Sequence, residues 1–353
     1  MNRKLILPLF LVIQLIGLKI LSFFPEAVER YYSNGFYPPL AKISRITLGK
    51  IPFSVGDVIY FIAIFFLLRW FWKQRKTWKT DWKSNLLSLL GFVSVFYFFF
   101  NLLWAINYLR IPMYEKLKIE REYTQKELID FTKMMIVKTN AIHSQLVKND
   151  SVKVVIPFNR KQIFDKTQNG YDNLAKAFPY LKYEHHSVKP SLISTPLTYM
   201  GFGGYLNPFT NEAQVNNLIP LHNFATTTGH EMAHQIGIGS ESEANFIGYM
   251  ATIYNDDLYF KYCGYSYALR YCLSNMENFE EGSAKKLLPL IHPGILKNFD
   301  ETEQFWDSHQ TFIDVIFHTF YDNFLKVNQQ KDGLEGYSKF VGLMVNYYKG
   351  KDL

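Results

Sequence analysis

The residues best placed to do chemistry lie in Thr228–Ala251, TGHEMAHQIGIGSESEANFIGYMA. On a helix, positions i and i+4 share a face, so His230 and His234 can present two imidazoles to one divalent ion. Glu231 follows His230 by one residue, about 100° further round the axis, where its carboxylate can hold a water beside that ion. The expected chemistry is metal-assisted hydrolysis: Zn²⁺ lowers the pKa of water and Glu231 takes the proton as general base. A helix with two surface histidines would carry the same motif to no purpose, so the flanking residues must decide.

A third ligand is needed, and glycine follows directly. Gly237 and Gly239 can end the helix in a left-handed turn. Ser240 is then expected to cap a second helix, with Glu243 at the third position completing a capping box. On that helix Glu241 and Asn245 lie four apart on one face. This arrangement suits Glu241 to ligate and Asn245 to hold a ligating imidazole from behind. Glu243 is the competing third ligand. The metal set read from the sequence is His230, His234 and Glu241, with Glu231 catalytic.

The elements around this motif divide into two unlike regions, in a chain of 353 residues with a net charge of +7. Leu5–Phe24 is an apolar run broken only by Gln14 and Lys19. Ile51–Trp72 contains the wholly apolar Val58–Leu68, and Leu86–Tyr108 has no charge. Crossing the hydrocarbon core takes about 20 residues, so three transmembrane helices are expected, at about 5–24, 51–72 and 86–108. Phe24-Pro25-Glu26 does not resemble a signal-peptide cleavage site, so the first helix is expected to stay. The segment from Lys73 to Lys83 carries five cations and one acid. Beside apolar helices and flanked by Trp70, Trp72, Trp78 and Trp82, it reads as a cytoplasmic loop facing anionic lipid, with no nucleic-acid partner. Arg3 and Lys4 lie on the same side, which places the N-terminus inside and everything after Tyr108 outside. The expected location is the cytoplasmic (inner) membrane, multi-pass. Lys19 and Asp57 are expected to snorkel at the outer helix ends. Cys263 and Cys272 are too few for a disulfide framework and read as small apolar residues, with one bridge in an oxidising compartment as the alternative.

Residues 111–353 read as one extracytoplasmic α+β domain, helix-dominated. Thr124-Gln125-Lys126-Glu127 opens a helix running to about Val147. Val152–Pro157 is β-branched and strand-like, and a short helix is expected near Tyr171–Leu181. Ser191–Asn207 reads as extended chain or a hairpin. From Asn223 onward the pattern is helical, interrupted at Pro289, Pro293 and Gly333. Taken by itself, Gly203–Thr210 reads as a glycine-rich turn. Tyr249, Arg270, His292, His309, His318, Asn328 and Tyr337 are all candidates to stabilise an oxyanion, and their types do not choose among them.

HEMAH followed by Glu241-Ser242-Glu243-Ala244-Asn245 resembles the gluzincin metallopeptidases, whose second helix bears a glutamate ligand in an ExxA[DN]-like pattern. The resemblance implies His230, His234 and Glu241 as ligands, Glu231 as base, and an edge strand at Gly203–Thr210 that pairs with substrate backbone. The spacer between the two helices is unusually short for that family. His234-Gln235-Ile236-Gly237 is also similar to the metzincin turn, but their third ligand would fall at Ser240, a poor zinc ligand. More widely, the chain resembles an uncharacterised bacterial family with three N-terminal transmembrane helices and a zincin-like domain. The matching pieces are Val28-Glu29-Arg30-Tyr31-Tyr32-Ser33, Ile51-Pro52-Phe53-Ser54, Asn107-Tyr108-Leu109-Arg110, Asn207-Pro208-Phe209-Thr210, the HExxH region and Ala268-Leu269-Arg270-Tyr271.

The expected function is a membrane-anchored zinc metallopeptidase acting on peptides or proteins. An intramembrane protease is disfavoured because Asn223–Gly237 is too polar to cross a bilayer. A non-catalytic scaffold or binding protein with a structural or vestigial metal site is the remaining alternative, and it has no use for Glu231. The topology has a direct test. A reporter cysteine placed after Arg110 should react with an impermeant thiol reagent on intact cells, and one in the Lys73–Lys83 loop should not. The opposite pattern would reverse the orientation.

Overall fold

Length set against apolarity decides the N-terminal elements. The computed structural model describes residues 3–328 and 337–353. Val55–Gln74 and Trp82–Leu103 are each long and apolar enough to cross a membrane. Ile6–Leu21 has 16 residues, about 24 Å against the roughly 30 Å core. It qualifies only together with Pro25–Leu48, from which it bends by 99°. Two or three candidate spans result. Ile6–Leu21 buries none of its residues. The Gln14 side chain donates to the Ser94 carbonyl at 3.1 Å, which satisfies the one amide in an apolar stretch.

The boundaries differ from expectation at both later spans. The second helix starts at Val55, because Ser54 is its cap and accepts the Asp57 amide at 2.9 Å. The third ends at Leu103, and Ala105–Leu109 continues as a 3₁₀ turn. Asp57 does not snorkel. It is 1% exposed, and its carboxylate accepts the Leu192 amide at 2.7 Å, the Ser191 hydroxyl at 3.1 Å and the Tyr205 hydroxyl.

The remainder is helix-dominated around a small three-stranded sheet. β1 (Val188–Pro190) runs parallel to β3 (Glu212–Val215), and β3 pairs antiparallel with β2 (Gly204–Asn207), so β2 is an edge. Thr124 and Glu127 form the expected capping box, and the helix spans Gln125–Leu146. The helix expected near 171–181 instead covers Arg160–Ala177, opened by an Asn159–Gln162 capping box. Val152–Pro157 forms no strand. The buried Asn298 side chain accepts the Val154 amide at 3.1 Å and donates to its carbonyl at 3.2 Å, standing in for a ladder partner. Within Ser191–Asn207, Ser194–Tyr199 is helical and only its end joins the hairpin. Pro293 starts a helix to Asp307, whereas Gly333 lies outside the described residues. Cys263 and Cys272 are unpaired and buried.

One core gathers Met113 to Tyr348 and includes Met232, Ala233, Ala244 and Ile247. A second joins Val28, Tyr37, Phe100, Trp104 and Tyr108 to Leu325. The sheet is bolted to the second span through Glu212. Its carboxylate accepts the Gly56 amide at 2.6 Å and the Lys189 ammonium at 2.5 Å, with side chains 0% and 4% exposed. Lys189 also donates to the Leu48 and Phe53 carbonyls at 2.7 and 3.0 Å. Gly56 is required there, since a Cβ would lie 2.4 Å from the Asn207 amide nitrogen. Glu212→Ala should cost about 3–5 kcal/mol, because it leaves a buried ammonium without its charge partner. Thermal unfolding should show this loss, and the double change Glu212→Gln with Lys189→Met should recover most of it. Equal loss in both variants would show that charge pairing is not what matters there.

Candidate metal centre

The HExxH helix covers Leu221–Gln235 and the next helix Glu241–Ile253. They pack at a glycine pair. A Cβ on Gly229 would lie 3.1 Å from Gly248 Cα, and one on Gly248 would lie 2.8 Å from the His230 nitrogen. The turn between them uses Gly237 at φ +86°, and a Cβ on Gly239 would lie 2.9 Å from the Asn107 carbonyl oxygen. The left-handed turn is therefore at Gly237 alone, while Gly239 permits a close approach.

This packing converges the two helices on one point. His230 Nε2 and His234 Nε2 lie 3.0 Å apart. The Glu241 carboxylate places Oε2 3.3 Å from His230 Nε2 and Oε1 3.7 Å from His234 Nε2. Ligands about 2.0–2.1 Å from a tetrahedral zinc are separated by about 3.3 Å, so the three spacings fit one ion. Glu231 also belongs to the cluster, with Oε1 4.0 Å from His230 Nε2.

The outer hydrogen bonds decide which nitrogens face inward. His234 Nδ1 is 2.7 Å from the Ile238 carbonyl, which can only accept. The Nδ1 therefore carries the proton and Nε2 presents a lone pair. His230 Nδ1 donates to Asn245 Oδ1 at 2.9 Å, and the Tyr267 hydroxyl donates to the same oxygen at 2.9 Å. Two lone pairs and a carboxylate facing one another at these distances call for a cation between them. With only protons available, burial lowers the basicity of His234 but the Glu241 charge outweighs it, pushing the group up to about 9. Burial alone would raise Glu241, yet the imidazoles hold it well below the carboxylate range. Burial raises Glu231 to about 7, against the pull of His230 and His234. Its Oε2 is buried with no hydrogen-bond partner among the described residues.

Glu243 points elsewhere. Its carboxylate accepts the Met113 amide at 2.6 Å, and burial raises its pKa. The expected capping box is absent: Ser240 makes no side-chain cap, and its hydroxyl instead meets that of Ser242 at 2.9 Å. The buried Met113 amide draws the Glu243 side chain away from the helix start.

His230, Glu231, His234 and Glu241 line a cavity of about 690 Å³. Arg270, His309 and His318 line it. Tyr249 does not; it is buried in the core against Tyr348. His292 belongs to a separate cluster with His143 and Asp150. Asn328 donates to the Phe324 carbonyl at the end of its own helix, and the Tyr337 side chain lies outside the described residues. Sequence reasoning missed Tyr321, whose hydroxyl donates to Glu241 Oε1 at 2.8 Å. Its one signal was the spacing from His318, one turn away on the same helix face. It also missed Trp104, whose indole N–H donates to the His234 carbonyl at 3.0 Å.

A family model described as a protein of unknown function, DUF3810, matches residues 32–345. No curated protein and no solved structure matches the chain.

Metal titration of the purified protein separates the two glutamates. Glu241→Gln should lose most of the zinc affinity while keeping the fold. Glu243→Ala should keep the metal but lower the unfolding midpoint, since an unpaired buried amide costs about 1–3 kcal/mol. Metal loss in the second variant and not the first would overturn the assignment.

Proposed function

We propose that this chain, which belongs to the DUF3810 family, is a membrane-anchored zinc metallopeptidase whose site domain lies outside the cytoplasmic membrane. The observation that carries this reading is the inward-facing set His230, His234 and Glu241 beside a separate buried carboxylate, Glu231, with an unpartnered Oε2. Three protein ligands leave a fourth position open, as a catalytic zinc site requires. A purely structural site would have no use for Glu231 in that position.

When bound, zinc supplies Lewis acidity that brings the pKa of water toward neutrality. Glu231 then accepts the proton at Oε2 and can pass it to the leaving amine. Asn245 and the Ile238 carbonyl keep both imidazoles in the tautomer that exposes Nε2. Tyr321 steadies the Glu241 carboxylate from the opposite side. Substrate positioning falls to β2. Gly203, Gly204, Tyr205 and Leu206 line the cavity, and a Cβ on Gly204 would lie 2.6 Å from Glu231 Oε1. Only glycine lets the strand pass so close. The outer edge of β2 has no strand partner among the described residues, so an extended peptide can add there by backbone pairing and lie across the metal cluster.

The purified protein should hold one zinc per chain and cleave a pooled peptide substrate. His230→Ala and His234→Ala should lose most of the metal. Glu231→Gln should retain it while kcat falls by about 10²–10⁴, the contribution of a positioned base. Full zinc occupancy with no turnover of any peptide would refute the peptidase reading, and equal metal loss in all three variants would refute the division of roles.

A further inference from the structure

The cavity above Glu231 extends well below the domain. Tyr60, Phe96, Tyr97 and Phe100, all from the second and third spans, line it together with the metal cluster. Tyr60 is five residues into Val55–Gln74, and Phe96 is seven residues before the end of Trp82–Leu103. At 1.5 Å per residue these positions are about 8 and 10 Å below the helix ends. Val55–Gln74 has 20 residues, about 30 Å, which is just the hydrocarbon thickness. The span therefore has no length to spare, and the level of Tyr60 must lie within the apolar layer. Phe209, at the tip of the β2–β3 hairpin, reaches the same depth, with its ring 4.9 Å from Phe96 and 6.3 Å from Tyr60.

The opposite wall is the helix Phe312–Val327. Asp314, His318, Tyr321 and Phe324 turn toward the cavity. Phe312, Val315, Ile316, Phe320 and Val327 form its other face and are 58–75% exposed. Such a stripe in water would be costly, at roughly 25 cal/mol per Å². The helix is docked on the third span, since Phe324 packs on Phe100 at 5.6 Å and Leu325 is buried in the same cluster. This is the pattern of a helix lying in a membrane interface.

We infer that the cleft opens sideways into the leaflet on the domain's side, and that it takes the extended, membrane-adjacent stretch of a polypeptide itself anchored in the bilayer. The edge strand beside Glu231 selects polypeptide over lipid, because it offers backbone pairing along its length. The apolar lower cavity and the lipid-facing helix select a chain that arrives from the bilayer. The inference deepens the peptidase reading and rests on it for the fate of the bound chain, but not for the site of entry.

Two measurements on the full chain in lipid nanodiscs test it. Cys263 and Cys272 are buried, so bimane can be attached at Phe320→Cys, at Phe65→Cys in the second span, or at Val155→Cys on the domain surface. Spin-labelled lipid should quench the Phe320 and Phe65 probes alike and spare the Val155 probe. A Phe320 probe that behaves like the Val155 probe overturns the inference. The second measurement uses Glu231→Gln, so that binding is read without turnover. A pooled library of short random sequences is fused directly to an apolar helix of about 20 residues, or held off it by a long Gly-Ser spacer. The direct fusion should bind roughly tenfold tighter, about 1.4 kcal/mol. Equal binding, no binding of either, or displacement of both by lipid alone overturns the inference. Turnover by the unmodified protein decides the peptidase reading separately.

Discussion

The last carbonyls of a helix have no partners within it, and those of the HExxH helix are satisfied by N-terminal segments beside the candidate spans. The Gln235 carbonyl accepts the Tyr37 hydroxyl at 2.9 Å and an Arg45 guanidinium nitrogen at 2.9 Å. The His234 carbonyl accepts the Trp104 indole, and the Gly237 carbonyl accepts Arg110 at 2.6 Å. A neutral bond of this kind contributes about 1 kcal/mol and a charged one about 1.5–3 kcal/mol, while cations at a helix C-terminus also oppose its dipole. The segments next to the spans therefore do more than tether the domain. They hold the end of the helix from which His234 projects.

That anchorage explains the position of the cleft. Because Trp104 and Tyr37 grip the helix end, the His230–His234–Glu241 cluster is held close to the end of the third candidate span. Because Glu212 and Asp57 fasten the sheet to the start of the second span, β2 hangs over the same spot. The cavity between them has one polar wall, with His230, His234, Glu241 and Arg270, and one apolar wall with Tyr60, Phe96, Tyr97 and Phe100 from the candidate spans. A domain on a flexible tether would have neither constraint.

Two groups of charges are buried with several partners each. Lys189 and Glu212 share one pair and four backbone groups. Glu29 receives Arg110 at 2.7 Å and Lys116 at 2.7 Å. Such groups are costly to bury unless satisfied, and here both groups join N-terminal segments to later parts of the chain. Glu231 has one oxygen without a hydrogen-bond partner among the described residues, and it lies in the cleft where a reaction would need it.

The sequence alone determined what depends on local spacing. The i, i+4 histidines, the Glu241–Asn245 face, the Thr124–Glu127 capping box and the apolar runs were all legible because a helix repeats every few residues. It could not reveal what depends on contacts between distant segments. Glu243 looked like a cap until the Met113 amide claimed it, and Asp57 looked like a residue reaching for water until Leu192 and Tyr205 enclosed it. Val152–Pro157 looked like a strand until Asn298 took its hydrogen bonds. Trp104 carried no local signal and Tyr321 only its spacing from His318, since each meets the His230–His234–Glu241 cluster only through the packing of the chain. In every case the deciding hydrogen bond joins residues far apart in sequence, and only the tertiary structure brings them within reach.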